Sequence, residues 1–360
     1  KRFIRLGTWN IRGISGKEDE LVGEIKRAKV DILGITETKK KGQGEMLIED
    51  HLFLYSGVSV AERAAGGVGC IMHERWKENI VSWKPISNRL MTVTLTEGDR
   101  QLNIIIAYGP NEDATQTDKD AFFELVQGEI DNFKETAIII MGDLNGRVGK
   151  NVKDWQGVVG MHGEETLNEN GERILNLCLL NDLVIANTFR PHKTIHKITR
   201  EEPSKNEKSM IDYLLIPRAM IREMADIRVK RGFKIGSDHY ILIMDKLWLG
   251  QQTTTGKSRN TNVVRTRIKS YKLKEEATAT EYQQEVERIA RETRENWESN
   301  SIEECWATFK NIILTSASNI CGTSRVGKAR KRTSWWSNEV KEEVRNKKIL
   351  WKAYLASKTP

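Results

Sequence analysis

Ile138-Ile139-Ile140-Met141-Gly142-Asp143-Leu144-Asn145 decides how this chain is read. An apolar run too short for a core helix ends abruptly in an acid and an amide, a pattern that delivers a carboxylate and a carboxamide to the mouth of a buried strand. Alone it says little, because Gly-Asp and Asn are ordinary turn formers and a solvated turn would read the same way. Five other segments repeat the arrangement. Trp9-Asn10, Glu37-Thr38, Tyr108-Gly109-Pro110-Asn111, Ile211-Asp212-Tyr213 and Ser237-Asp238-His239 each set polar residues just past or just inside another apolar run.

Working outward, short apolar runs predict strands near 3–9, 32–36, 68–73, 90–95, 102–108, 137–142, 183–187, 210–216 and 240–247. Helical periodicity predicts helices near 17–29, 117–134 and 170–181, the second starting at Thr117-Asp118 and burying Phe122, Leu125, Val126, Ile130 and Phe133. Many strands with few helices between them imply an α/β domain over residues 1–249, with two packed sheets covered by helices on their outer faces. Gly66-Gly67-Val68-Gly69 lacks the following Gly-Lys-Ser/Thr of a phosphate loop and reads as a bend into a strand. Residues 250–270, rich in Thr, Gly, Ser and Asn at their start, read as a linker. From 271 to 360 the periodicity is wholly helical, and its stripe of Tyr282, Val286, Ile289, Trp297, Trp306, Phe309, Ile312, Trp336, Val340 and Trp351 reads as a packing face rather than a base-stacking platform.

Charge is unevenly placed along these regions. Residues 1–249 hold 36 Lys and Arg against 37 Asp and Glu, net −1, whereas 250–360 hold 22 against 13, net +9. A basic tail beside acidic strand ends suggests a polyanionic partner, with metal ions offsetting repulsion between carboxylates and phosphates; a solvated charged segment reads the same on charge alone. Arg325 to Arg332 carries five basic residues in eight. Cys70, Cys178, Cys305 and Cys321 show neither metal spacing nor a disulfide framework, so they are expected as reduced thiols of an intracellular protein. No apolar run suits a membrane span or a signal-peptide core, and no membrane partner is expected. Opening on Lys1 and stopping at Pro360, the chain reads as a piece of something longer.

The polar residues fit one kind of chemistry. Cleaving a phosphodiester needs charge stabilisation on the phosphate, an activated in-line water and help for the leaving oxygen, and hard oxygen ligands around Mg²⁺ suit the first task. Glu37 is the strongest ligand candidate, with Asn10 placed equivalently after the first strand. In a turn, Asp143 and Asn145 would converge, the acid activating water and the amide orienting it. Asp238 lies beside the His239 imidazole, which Asp212 could hold charged and oriented. Singly, each residue reads as a cap, a surface pair or a structural histidine. His192 and His196 have an i,i+4 spacing, but Pro191, Thr194 and Ile195 argue against the helix a zinc pair would need. No Gly-x-Ser-x-Gly elbow marks a serine hydrolase.

In their order these motifs resemble the endonuclease/exonuclease/phosphatase superfamily over residues 3–247. The resemblance implies a four-layered α/β/β/α sandwich followed by a basic helical extension, and Mg²⁺-dependent phosphoester hydrolysis in which Mn²⁺ may stand in. It implies that Asn10, Glu37 and Asp238 hold metal, that Tyr108 touches the phosphate or its leaving group, and that Asp212 pairs with His239. Within the superfamily, Gly160-Met161-His162-Gly163, Asn168-Glu169-Asn170-Gly171-Glu172-Arg173, Ala186-Asn187-Thr188-Phe189 and Lys193-Thr194-Ile195-His196-Lys197 resemble the endonucleases of RTE-clade non-LTR retrotransposons and the related craniofacial-development-protein-like sequences. Trp335-Trp336-Ser337-Asn338-Glu339-Val340 and Lys347-Lys348-Ile349-Leu350-Trp351 are similar to the segment those proteins carry before a reverse transcriptase, which this chain lacks. Arg200 replaces a frequent aromatic in a loop expected to face DNA, and Arg190 follows Phe189 where a second aromatic is usual. Arg12, Arg190 and Arg200, with Arg330, Lys331 and Arg332 in the tail, are the expected DNA contacts.

The reading is therefore a nuclear, Mg²⁺-dependent DNA endonuclease that nicks one strand and leaves a 3′-hydroxyl for reverse transcription, with element RNA as a second partner of the tail. A phosphatase of the same fold is one rival; a host-adopted binding protein that has lost catalysis is another. The complete set Asn10, Glu37, Asp143, Asn145, Asp212, Asp238 and His239 argues against the second, since binding alone does not require it.

Overall fold

Near-continuous apolar strands need cover on both faces, and this chain supplies it by stacking two sheets. The computed structural model describes residues 3–133, 136–151, 155, 157–202, 204, 206–248, 266–293, 302–325 and 338–357. The strands, in chain order, are β1 (Phe3–Asn10), β2 (Ile32–Thr36), β3 (Gln43–Ile48), β4 (His51–Ser56), β5 (Val68–His73), β6 (Ile80–Ser87), β7 (Leu90–Glu97), β8 (Arg100–Tyr108), β9 (Ala137–Asp143), β10 (Leu183–Ile185), β11 (Arg200–Glu202), β12 (Glu207–Ser209), β13 (Asp212–Pro217), β14 (Met224–Lys230) and β15 (Ile241–Leu247). One sheet runs β14-β15-β1-β2-β5-β4-β3, the other β10-β13-β9-β8-β7-β6, and β11 pairs with β12 in a separate hairpin.

Three helices close the outer faces: α1 (Glu18–Ala28), α2 (Gln116–Asp131) and α3 (Glu169–Leu180). Between the sheets lies a core containing Leu6, Ile32, Met91, Ile104, Ile106, Ile139, Met141, Leu214 and Met244. Phe122, Val126, Ile174 and Leu175 of α2 and α3 pack on Ile105, Ile140 and Leu215 of the second sheet. Leu21, Val22 and Ile25 of α1 pack on Leu33, Ile71 and Ile243 of the first. The layers are thus α1, sheet, sheet, and α2 with α3, the expected α/β/β/α sandwich. Burying each such Leu or Ile side chain contributes about 1.5–3 kcal/mol.

The helix starts follow capping chemistry. The Thr115 hydroxyl accepts from Asp118 N at 3.1 Å, so α2 begins a residue before the expected Thr117-Asp118 start. Asn168 Oδ1 accepts from Gly171 N at 2.9 Å and from Arg147 N at 2.8 Å, fixing α3 against the chain after β9. Sequence reading omits β3, β4, β6, β14 and the β11–β12 hairpin. Of these, β3, β6 and β14 are sheet edges, where one face meets solvent and the apolar signal thins; Pro85 in β6 is tolerated for the same reason. The strand expected over 183–187 ends at Ile185 and passes into a short 3₁₀ turn.

Contact density divides the chain into two compact units, Lys1–Gln252 with Thr333–Pro360, and Thr253–Arg332. In the second, β16 (Thr266–Ile268), within the expected linker, pairs antiparallel with β17 (Thr323–Arg325), and α4 (Glu276–Glu292) packs on α5 (Ile302–Cys321). Ile312 is buried, but Trp306 and Phe309 of the expected packing stripe are exposed and stack on each other at 5.9 Å. The last helix, α6 (Asn338–Ser357), falls in the first unit. Among the described residues no helix is long and apolar enough to cross a membrane.

The buried Lys246 joins the two sheets. Its Nζ, fully excluded from solvent, lies 2.7 Å from Glu97 at the end of β7 and 3.0 Å from Glu223 just before β14. Removing one partner of a buried pair leaves an uncompensated charge. Lys246→Ala is expected to destabilise the protein by about 3–5 kcal/mol in urea unfolding, and Lys246→Met combined with Glu97→Leu to recover most of the loss. A single variant within about 0.5 kcal/mol of wild type would show that the pair does not hold the sheets together.

Candidate functional site

Strand register assembles the site. Parallel pairing of β8 with β9 sets Tyr108 beside Asp143, and antiparallel pairing of β9 with β13 sets Asp143 opposite Asp212, so three polar residues end three adjacent strands. In the other sheet, parallel β1 and β2 set Asn10 beside Thr36, and Glu37 follows directly. Gly142 is required next to the acid: its φ is +153°, and a Cβ there would come within 1.8 Å of the Ala107 carbonyl oxygen. Ser237-Asp238-His239 enters from the chain before β15. The Ser237 hydroxyl donates to Asn10 O at 2.8 Å and accepts from His239 N at 3.1 Å, while Trp9 Nε1 donates to His239 O at 3.0 Å.

Asn10, Arg12, Glu37, Tyr108, Asp143, Asn145, Arg200, Asp238 and His239 line one polar cleft of about 550 Å³. Asp212 lies behind His239, fully buried, and its Oδ2 accepts from His239 Nδ1 at 2.8 Å. The other imidazole nitrogen faces the cleft, with Nε2 3.8 Å from Asp143 Oδ2 and 3.9 Å from Asp238 Oδ1. Asp143 accepts from Asn10 Nδ2 at 2.9 Å and from Asn145 N at 3.0 Å. Asn145 donates through Nδ2 to Gly109 O at 3.0 Å, which fixes the amide plane. Asp143 and Asn145 both line the cleft, joined through the Asn145 backbone N–H.

Electrostatics sets the protonation pattern. Burial disfavours charge on His239, but Asp212, Asp143 and Asp238 outweigh it and raise the imidazole above its ordinary value, so it carries its proton at neutral pH. Burial, with Asp212 nearby, pushes Asp143 upward, against His239 and the hydrogen bonds from Asn10 and Asn145. Burial, Glu37 and Asp143 keep Tyr108 a phenol, able to donate. For Asp238, burial is outweighed by His239, Arg12 and Arg200, which lower it. Arg12, Glu37 and Asn145 all have left-handed backbones, at φ +48°, +53° and +49°. Such strain costs about 1–3 kcal/mol each and persists where the surroundings hold it.

The remaining expected DNA contacts scatter. Arg12 reaches the cleft. Arg190 does not line it and instead donates to the Met224 carbonyl of β14. Arg200 stands not in a loop but at the start of β11, with Nε 3.0 Å from Asp238 Oδ2 and a second pair to Glu202. Arg330, Lys331 and Arg332 lie outside the described residues. His192 and His196 lie edge to face, ring centroids 6.5 Å apart, His192 paired with Asp226 at 2.7 Å and His196 with the Val229 carbonyl at 3.1 Å.

Three supporting residues carried no assigned role in the sequence. Thr199 Oγ accepts from Ile211 N and Asp212 N at 3.0 and 3.1 Å, fixing Asp212. Ser237 ties the His239 segment to β1. Asn170 donates to the carbonyls of Pro110 and Asn145, at 2.9 and 3.0 Å, so α3 braces two loops of the cleft. Ser237 and Asn170 stand inside motifs already singled out, and Thr199 directly precedes Arg200, but which backbone group each holds depends on chain segments far away in sequence.

The donor set suits a divalent cation. Glu37 and Asp238 offer carboxylate oxygens and Asn10 an amide oxygen along the lining of the cleft, all hard ligands. Asp238 Oδ1 is buried and accepts no well-aligned hydrogen bond, although Arg12 Nη1 is 3.1 Å away. Asp143, Asp212 and His239 also bring donor atoms within 4.8 Å of one another. There the Asp212–His239 hydrogen bond already engages Asp212 Oδ2 and His239 Nδ1.

Comparison with known proteins bears on the fold and the family. Craniofacial development protein 2 of Bos taurus is 30% identical over 240 residues, spanning 66% of this chain but only 40% of that protein. The AP endonuclease LMAP of Leishmania major shares the fold at 15% identity, with a TM-score of 0.53 over 68% of this chain and 88% of its own. The 3'-5' exonuclease NExo of Neisseria meningitidis does so at 17% identity, with a TM-score of 0.51 over 68% of this chain and 100% of its own. The model of the Endonuclease/Exonuclease/phosphatase family matches residues 7–239, which contain every strand end of the cleft. The chain belongs to the endonuclease/exonuclease/phosphatase family.

Proposed function

We propose that the chain is a Mg²⁺-dependent DNA endonuclease that nicks one strand and leaves a 3′-hydroxyl, the end that primes reverse transcription, with Mn²⁺ able to replace Mg²⁺. One observation carries the proposal: Asp212 hydrogen-bonds His239 at 2.8 Å while Asp143, Asn10 and Glu37 face the same cleft. Asp143 is placed to take a proton from the attacking water, and the Asn145 amide to orient it. Protonated His239 presents Nε2–H to a phosphate oxygen, held in that orientation by Asp212. The Tyr108 phenol donates to the phosphate or its leaving oxygen. Bound by Asn10, Glu37 and Asp238, a divalent ion would supply Lewis-acid stabilisation of the developing phosphate charge.

Nucleic acid is favoured over a small phosphoester by the +9 balance of residues 250–360 and by the solved neighbours, named as an AP endonuclease and a 3'-5' exonuclease. Catalysis is favoured over binding alone by Asp143 and Asp212 buried together, which a binding surface does not require. The motifs that resemble those of RTE-clade elements support a retrotransposon origin and a nuclear place of work, with the basic tail contacting DNA or element RNA.

The full chain is expected to nick supercoiled plasmid with Mg²⁺ or Mn²⁺ and to stop on addition of EDTA. Asp143→Ala or His239→Ala should each lower the rate at least ~10²-fold, the scale of a lost acid, base or charge-stabilising group. Nicking by the double variant at the wild-type rate would sink the assignment. Deleting residues 250–360 should weaken DNA binding and flatten its salt dependence, with the rate at saturating DNA nearly unchanged. Equal salt slopes for the two proteins would mark the tail as a protein-docking segment.

A further inference from the structure

Asp238 is gripped from two sides. Arg12 Nη1 lies 3.1 Å from its Oδ1 and Arg200 Nε lies 3.0 Å from its Oδ2. The two arginines are not equivalent. Arg200 has only 25% of its side chain exposed and is pinned by Glu202, and its strand is stitched to the same segment by Glu201 N donating to Asp238 O at 3.0 Å and by a bridge between Arg200 and His239. Arg12 has half of its side chain exposed and sits in the left-handed turn after Asn10, with no strand pairing of its own. Arg200 is held at several points, and Arg12 is the more exposed of the two.

The charges in this cluster determine how it responds to a ligand. Asp238 thus meets two guanidiniums, of which Arg200 also pairs with Glu202 and lies 4.0 Å from Glu207. A divalent cation at Asp238 would face the Arg12 guanidinium at close range, and the like charges would repel. A phosphodiester relieves that repulsion. Its oxygens accept the guanidinium fork as well as a carboxylate does, and it brings the negative charge that the added cation needs.

Building on the nuclease reading, we propose that Arg12 is an exchangeable jaw: without nucleic acid it holds Asp238, and a backbone phosphate entering the cleft takes over its guanidinium and frees Asp238 Oδ1 for the divalent cation. Metal and phosphate backbone then bind with positive coupling, and linkage makes the coupling reciprocal. Arg200 is a positioning residue in this scheme. Its guanidinium stays with Asp238 and Glu202 and does not read DNA.

The test is a Mn²⁺ titration of the full chain followed by electron paramagnetic resonance, with and without a short phosphorothioate duplex, which keeps the backbone charge and resists hydrolysis. In wild type the duplex should tighten Mn²⁺ binding at least about fivefold, the lower end for coupled sites. Arg12→Gln should bind Mn²⁺ more tightly than wild type when no duplex is present, and should lose most of the duplex effect. Arg12→Lys, which keeps the charge but not the fork, should fall between them. The Mn²⁺-only arm decides even if Arg12→Gln no longer holds the duplex: affinity equal to or weaker than wild type overturns the jaw. Unchanged coupling in Arg12→Gln overturns it too, and if wild type still nicks plasmid the nuclease reading stands. Failure of wild type to bind Mn²⁺ at all would remove both.

Discussion

The site depends on the register of three neighbouring strands. Because β8, β9 and β13 pair as they do, Tyr108, Asp143 and Asp212 end abreast, and two carboxylates are buried side by side. Buried like charges are unfavourable, and the fold answers with His239, whose Nδ1 hydrogen-bonds Asp212 and whose second nitrogen faces Asp143. A one-residue slip of β13 would turn Asp212 to the opposite face and leave Asp143 without that arrangement. Continuous packing of Ile139 and Met141 against the other sheet, and of Ile140 against the helices, resists such a slip.

The first sheet contributes Arg12 and Glu37 just past β1 and β2, and the second contributes Asn145 just past β9. Glu37, Arg12 and Asn145 all follow strands and all adopt left-handed backbones. Left-handed turns reverse the chain within one or two residues, and so bring side chains back over the strand ends. Local strain is tolerable here because it is offset by the two sheets' large buried core. Arg12 and Arg200 then bracket Asp238 in the cleft.

Much of this was legible in the sequence, and the boundary is physical. Asp143, Asp212 and His239 announced themselves because each ends or borders an apolar run, and an acid there has no reason to be buried without a partner. The four layers were implied by the same runs. What escaped was of two kinds. Strands β3, β6 and β14 lie at sheet edges and share their faces with water, so their patterns thin out. The roles of Thr199, Ser237 and Asn170 are contacts with backbone groups of other segments, which no local pattern encodes. Arg200 shows the limit most clearly. Its charge and position suggested a contact to DNA, and the sequence gives no sign of the hairpin β11–β12 that sets it against Asp238 in the cleft.

The proposed chemistry stands on Asp212 holding His239 in its charged form, and the imidazole itself can report this. In metal-free protein, ¹⁵N resonances of labelled histidine should show His239 still protonated at neutral pH and titrating well above an ordinary histidine, because Asp212, Asp143 and Asp238 outweigh its burial. Asp212→Asn should bring that titration down. A His239 that is neutral at pH 7, or one indifferent to Asp212→Asn, would contradict this role for the pair.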